Sequence, residues 1–466
     1  MGDGLLTLLD WMANATPGVL PDDLSEPSAT GVVAAATAYL ETSPEDAGEI
    51  RALLDRLTPT LEELERTTAP QGASRSPSLM VSLVPLAQED PSNPCDEWGV
   101  ESPCLEKVTL PQDSGLDLSK YSLFAALNEN SGWSIEDVEV AKKALVDSAI
   151  TFEALGDMPP TALVLRPGGD TLYTSYLPDK DCRVYVDEFL AGTDPRRLEQ
   201  ILAREISFCL LGHEFFLQFF ANQNPTTWLS YGLANYLSGV VYSSNNLEHE
   251  NLPGQLAESE LSTSIPERSW TNWIVFEHFH AFIGPQGVMD LINGLPEAGD
   301  LVTALAAAPG VSEMYHDLSR ALSDANVADL GGGAVPYSPQ AWELSLTGPA
   351  EVPFTVPRFG VRRLHIQVPA GSYACVDSIT RGELRLSWRP GAPGDSSGTW
   401  SDDLPFAFEN ESVLVITSVD SDAHFTLDVT DVDTNPDCVD EEDSDKCDLN
   451  AICDPSRFYY RVVPSN

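Results

Sequence analysis

Positive charge is what this chain has least of. Its 466 residues carry 25 Lys and Arg against 72 Asp and Glu, a net charge of −47. Phosphate backbones and anionic lipid surfaces are held by positive fields, so nucleic acid and anionic membrane surfaces are excluded as partners. Long apolar runs are missing too, which excludes a membrane-spanning helix. The start, MGDGLLTLLDWMANATPG, has no basic segment and carries Asp3 and Asp10, so it is not a recognisable signal peptide. There is no C-x-x-C, hence no zinc knuckle or dithiol redox motif. There is no repeat at a solenoid period.

What remains is a chain with real cores, since hydrophobic residues make up 42%. Its length implies two or three domains. The acidic excess reads as a solvated surface suited to high solubility or to cations.

Eight cysteines are placed as pairs would be. Cys95 and Cys104 flank a short loop. Cys182 opens the strand-like CRVYVDEF, ahead of an apolar helix bearing Cys209, which makes Cys182–Cys209 a candidate bridge. Cys438, Cys447 and Cys453 cluster near the end, with Cys375 as their partner in pairing among themselves. This implies an oxidising compartment, extracellular or at the cell surface.

The chain reads as multidomain: an N-terminal helical region, an α+β central domain and a C-terminal all-β sandwich. Residues 1–68 carry amphipathic helical stripes, one starting at Ser43-Pro44-Glu45-Asp46. They read as a spacer, a pro-segment or an assembly element. Residues 69–115 read as a linker with the Cys95/Cys104 loop. In 116–334 a helix from Ile135 to Leu155 precedes strands near 162–166, 171–177 and 183–189. A long helix follows, with Asp194 as cap and Pro195 in its first turn. Gly331-Gly332-Gly333 reads as a domain linker. From 335 to 466 short alternating segments appear, at 363–368, 371–376, 383–388, 412–418 and 424–429, the pattern of a β-sandwich.

The segment from Leu202 to Gly239, LAREISFCLLGHEFFLQFFANQNPTTWLSYGLANYLSG, carries the functional signal. Two histidines four apart on one helix face bind zinc in H-E-x-x-H, and the Glu between them moves the proton. Here Ala203-Arg204-Glu205-Ile206-Ser207-Phe208-Cys209 stands in the layout of A-H-E-x-x-H-C. Glu205 is kept, with Arg204 and Phe208 in the histidine positions. A second frame, His213-Glu214-Phe215-Phe216-Leu217, is one histidine short. The first frame is preferred because it keeps the small residue before the motif and the Cys after it. Taken alone, LLGHEFFLQFF also reads as an ordinary apolar core helix.

Downstream, Trp228-Leu229-Ser230-Tyr231-Gly232-Leu233-Ala234-Asn235-Tyr236 resembles the W-L-x-E-G-x-A-x-Y segment of gluzincin metallopeptidases. Trp270 to Pro296 is similar to the helix-rich C-terminal half of their secreted bacterial members. The resemblance covers roughly residues 116–330. It implies a gluzincin-like fold in which the third zinc ligand is a Glu, and Tyr231 takes that place. The first frame therefore keeps no zinc ligand among Arg204, Phe208 and Tyr231, and the second keeps His213 alone. Arg stays protonated, while Phe and Leu have no donor atom. The resemblance thus implies ancestry and fold without a working zinc site.

Two further constellations are weighed. Asp431, Asp433, Asn435, Asp437 and Glu442 match positions 1, 3, 5, 7 and 12 of a calcium loop, with Pro436 where such a loop needs Gly. They make calcium a candidate ligand beside the reading of a solvated acidic connector. His278 and His280 are two apart, point in different directions on a helix, and read as structural.

The expected function is a secreted or cell-surface, metallopeptidase-like pseudoenzyme with a binding or structural role. Its partner would be a protein or carbohydrate surface, or further copies of itself. No cofactor beyond calcium is expected. The alternatives are a hydrolase with an altered metal site around Glu205, His213, Glu214 and Tyr231, or a subunit of an extracellular filament or surface layer.

Overall fold

A computed structural model describes residues 33, 36, 39–40, 48–59, 61–66, 104–112, 115–127, 131–176, 181–219, 227–251, 264–265, 272–296, 300–335, 344–346, 350–367, 373–376, 384–402, 408–409, 411–420 and 422–432. Cys95, Cys438, Cys447 and Cys453 lie outside them. So do Asp433, Asn435, Asp437 and Glu442. The chain divides into two compact units, residues 1–230 with 237–247, and residues 231–236 with 248–466.

The first unit is built on a five-stranded mixed sheet. In chain order the strands are β1 (Glu106–Val108), β2 (Tyr121–Ala125), β3 (Thr161–Leu165), β4 (Leu172–Tyr176) and β5 (Cys182–Val186). They lie side by side as β1-β2-β3-β5-β4. β2, β3 and β5 run parallel, and β1 and β4 are antiparallel edges. Strands β2, β3 and β5 are buried at every residue, as parallel strands covered on both faces must be. Edge strand β1 falls inside the stretch expected to be linker.

Side chains alternate between the two faces. One face presents Phe124, Ala162, Val164, Tyr173 and Tyr185. They pack with Ile50, Leu54 and Leu57 of helix α1 (Gly48–Leu57) and Leu64 of α2 (Leu61–Arg66). Each such side chain contributes roughly 1.5–3 kcal/mol by leaving water. The N-terminal helices are thus part of this unit's core. Buried Arg183 fixes the attachment, donating from Nη1 to the Thr58 carbonyl (2.7 Å) and to that of Pro59. On the same face Arg166 is buried with Asp187, at 2.6 Å. Its guanidinium also donates to the Tyr173 and Thr171 hydroxyls.

The opposite face is covered by α3 (Ile135–Glu153) and α4 (Pro195–Phe219), which pack on each other and on the sheet. Ser134 and Asp137 form a reciprocal capping box at the start of α3. Asp194 Oδ1 accepts from the amides of Arg196 (3.0 Å) and Arg197 (3.4 Å) at the start of α4.

In the second unit the helices are α6 (Trp273–Asn293), α7 (Leu301–Ala307) and α8 (Val311–Ser323). Helix α5 (Thr227–Val241) contributes its middle, Tyr231–Tyr236. A four-stranded sheet joins β10 (Leu384–Pro390), β12 (Glu411–Ser418), β8 (Gly360–Gln367) and β6 (Leu344–Leu346) in that order. All its pairs are antiparallel except β6–β8. A separate antiparallel sheet has the order β11 (Phe408–Glu409), β9 (Tyr373–Val376), β13 (Ala423–Val432) and β7 (Ala350–Val356). β7 carries Pro353 and sits at an edge, where a missing N–H breaks no ladder. Helix α8 packs on β12. Its buried His316 lies 2.7 Å from both Thr417 Oγ1 and Ser387 Oγ. Among the described residues, no helix is long and apolar enough to cross a membrane.

The residues expected to be a glycine linker form a tight turn. Ala328 bridges Ala334, the Gly332 amide donates to the Asp329 carbonyl, and Asp329 N donates to Gly333 O. Gly332 has φ +83°, a left-handed conformation that costs glycine little.

Candidate functional site

Helix α4 carries the motif residues, and the sheet side of α4 determines their surroundings. Cys209 is bonded to Cys182 at the start of β5, with an S–S distance of 2.06 Å and Cα atoms 5.6 Å apart. Cys104 is disulfide-bonded as well. One turn before Cys209, Glu205 points at β4. Its side chain accepts from Thr174 Oγ1 at 3.2 Å, and that hydroxyl also donates to the Glu205 carbonyl at 2.9 Å. Arg204 Nη2 lies 3.1 Å from Glu205 Oε1. Glu205 is only 4% exposed and Phe208 only 2%. Tyr231, on α5, is buried.

The second frame lies further along α4, against the end of β4 at Tyr176. Phe215 breaks helical geometry there, with φ −131°. His213 is exposed on the surface of the fold, its Nδ1 3.0 Å from Tyr176 Oη and its Nε2 3.5 Å from Asp157 Oδ2. Glu214 Oε1 accepts from the Asp157 amide at 2.8 Å. The Leu217 side chain lies outside the described residues, as does that of Cys375. Asp431 sits in β13, its backbone paired opposite Ala374.

The donor set around Glu205 does not fit a zinc ion. A catalytic zinc needs three protein ligands and an open position. Arg204 brings a cation where a lone pair is needed, and Phe208 brings hydrocarbon. What the arrangement does is hold a buried carboxylate between a guanidinium and a hydroxyl.

Gly232, the glycine of the W-L-x-x-G segment, has a packing role. A Cβ there would lie 2.8 Å from Asn272 Cβ and 3.1 Å from the Phe276 ring, so the glycine lets α5 approach α6 closely. His278 and His280 are held by neighbours, at 3.1 Å from Asp317 Oδ2 and 3.0 Å from Tyr236 Oη respectively.

The second unit contains an ionisable cluster that the sequence reading did not single out. Glu248 and His249 stand on a 3-10 turn (Leu247–Asn251), and Asp329 is held by the glycine turn after α8. One ligand atom from each of these three lies within 4.8 Å of the others. His249 Nε2 is 4.0 Å from Asp329 Oδ1, too long for a hydrogen bond. The imidazole lies against the ring of buried Trp273, with centroids 5.4 Å apart. Glu277, in the first turns of α6, is 2% exposed, and neither of its carboxylate oxygens has a hydrogen-bond partner. Burial, and then the charges of Glu248 and Asp329, push its pKa well above the usual carboxylate range. Burial lowers the His249 pKa, opposed by Asp329. A signal for this cluster does exist in the sequence. A carboxylate inside WIVFEHFHAFIG is costly unless something compensates it.

A separate cavity of about 410 Å³ is lined by residues including Phe282, Ile283, Arg320 and Arg385. Its two arginines are already ion-paired, Arg320 with Asp402 and Arg385 with Glu313.

Compared with known families the chain matches no family model, and no curated protein matches it.

Proposed function

We propose that the chain is a secreted or cell-surface, metallopeptidase-like protein without zinc chemistry, acting through binding or as a structural element. The observation that supports this most is the condition of Glu205. In a working site of this kind the motif Glu faces a metal-bound water. Here it is buried between Arg204 and Thr174, one turn from buried Phe208. In this reading the first unit with its following helices is an α+β, gluzincin-like scaffold. The two four-stranded sheets of the second unit are an appended β-sandwich that meets a protein or carbohydrate surface, or another copy. The Cys182–Cys209 bond supports an oxidising location. The acidic surface argues against nucleic acid and anionic lipid.

Incubation of the full chain with quenched fluorescent peptide mixtures, with and without added Zn²⁺, tests this. No turnover is expected in wild type or in Glu205→Gln. Zinc-dependent hydrolysis that is lost in Glu205→Gln would overturn the reading.

A further inference from the structure

We propose that Glu248, His249 and Asp329 hold a divalent first-row cation, of the kind that accepts one imidazole nitrogen together with carboxylate oxygens, with buried Glu277 facing it. Zn²⁺ and Mn²⁺ are the ions this mixed donor set suits, since imidazole selects for Zn²⁺ and carboxylates for Mn²⁺.

Two independent observations point to the ion. The first is spacing. Donor atoms lie within 4.8 Å of one another, and the His249–Asp329 contact of 4.0 Å is not a hydrogen bond. Two ligands each ~2.0–2.2 Å from one ion stand ~3.3–3.6 Å apart in tetrahedral geometry, so shifts of about 1 Å close the site. The second is Glu277. A carboxylate that is 2% exposed, with neither oxygen hydrogen-bonded, is costly in a protein interior. It also shares its space with the charges of Glu248 and Asp329. A cation makes three such carboxylates compatible, because its attraction to each of them offsets their mutual repulsion. The surroundings fit a formed site. Trp273 fixes the plane of the imidazole, and the turn closed by Gly332 fixes Asp329. The cluster is remote in sequence from Glu205 and does not depend on it.

The test is calorimetric titration of the chelator-treated full chain with ZnCl₂ and with MnCl₂. It is run at ~0.15 M salt so that the diffuse acidic surface is screened. One site per chain is expected for at least one of the two ions, with a rise in Tm at saturation. His249→Ala and Asp329→Asn should each weaken that site at least tenfold. Glu277→Gln should raise the Tm of the ion-free protein while reducing the ion-induced rise. Should His249→Ala fail to fold, Asp329→Asn and Glu277→Gln carry the comparison. Absence of a stoichiometric site for both ions would overturn the proposal. So would binding that is unchanged in all three variants, because the ion would then sit on the general acidic surface.

Discussion

The bond between Cys182 and Cys209 ties the first residue of β5 to the middle of α4, and its removal has a calculable cost. The two cysteines are 27 residues apart. Opening a loop of that size returns conformational entropy to the unfolded chain worth ~3.5 kcal/mol at room temperature. Both residues are fully buried. Replacing both with Ala also removes two sulfur atoms from a packed interior, at about 1 kcal/mol each. The double variant should therefore lose ~5–6 kcal/mol in urea unfolding followed through the first unit. A cycle separates the two contributions. Under reducing conditions the link is open in wild type and absent in the variant. The entropic part then cancels, leaving a difference of only about 2 kcal/mol of packing. A loss under ~1 kcal/mol in the oxidised comparison would refute the argument. So would a difference that does not shrink on reduction, since the bond would then not constrain the unfolded chain.

Two further outcomes follow from buried charge. Asp187→Asn leaves the Arg166 guanidinium buried without its anion, and should cost ~3–5 kcal/mol of stability in chemical denaturation. The pKa of His316 is pushed down to about 3, first by burial and then by Arg320, against an ordinary value of 6.5. The unfolded chain takes up this proton below about pH 6.5, and the folded chain only near pH 3. The folded state therefore loses up to ~1.4 kcal/mol for each pH unit across that window as pH falls. His316→Gln should flatten the pH dependence of Tm between about 6.5 and 3 relative to wild type. An unchanged slope would show that the imidazole protonates inside the fold.

Local chemistry was legible wherever the signal was local. The Asp194-Pro195 start, strands β3 to β5, and most strands of the second unit lie within a few residues of their expected bounds, because alternation and caps are short-range properties. β1 was missed because three residues carry too little pattern. β7 was missed because Pro353 reads as a break until the strand is known to lie at an edge. The glycine run reads as a domain linker in the sequence because the sequence does not record the hydrogen bonds that close a turn.

The candidate sites divide along the same line. That Arg204 and Phe208 flank Glu205 is a matter of composition, so the lack of zinc-ligating atoms at those two positions follows from residue identity. That Glu205 is buried against Thr174 depended on β4 lying beside α4, a contact 31 residues distant. The Glu248–His249–Asp329 cluster with Glu277 spans about eighty residues of chain. No period or spacing links the adjacent Glu248 and His249 to Glu277 or to Asp329, since the 3-10 turn, α6 and the glycine turn are three different elements. The amino-acid sequence by itself determined charge, local elements and which donor atoms exist. Only tertiary structure decided which donors meet, because burial of apolar faces, rather than any attraction among the acids, brings those elements together.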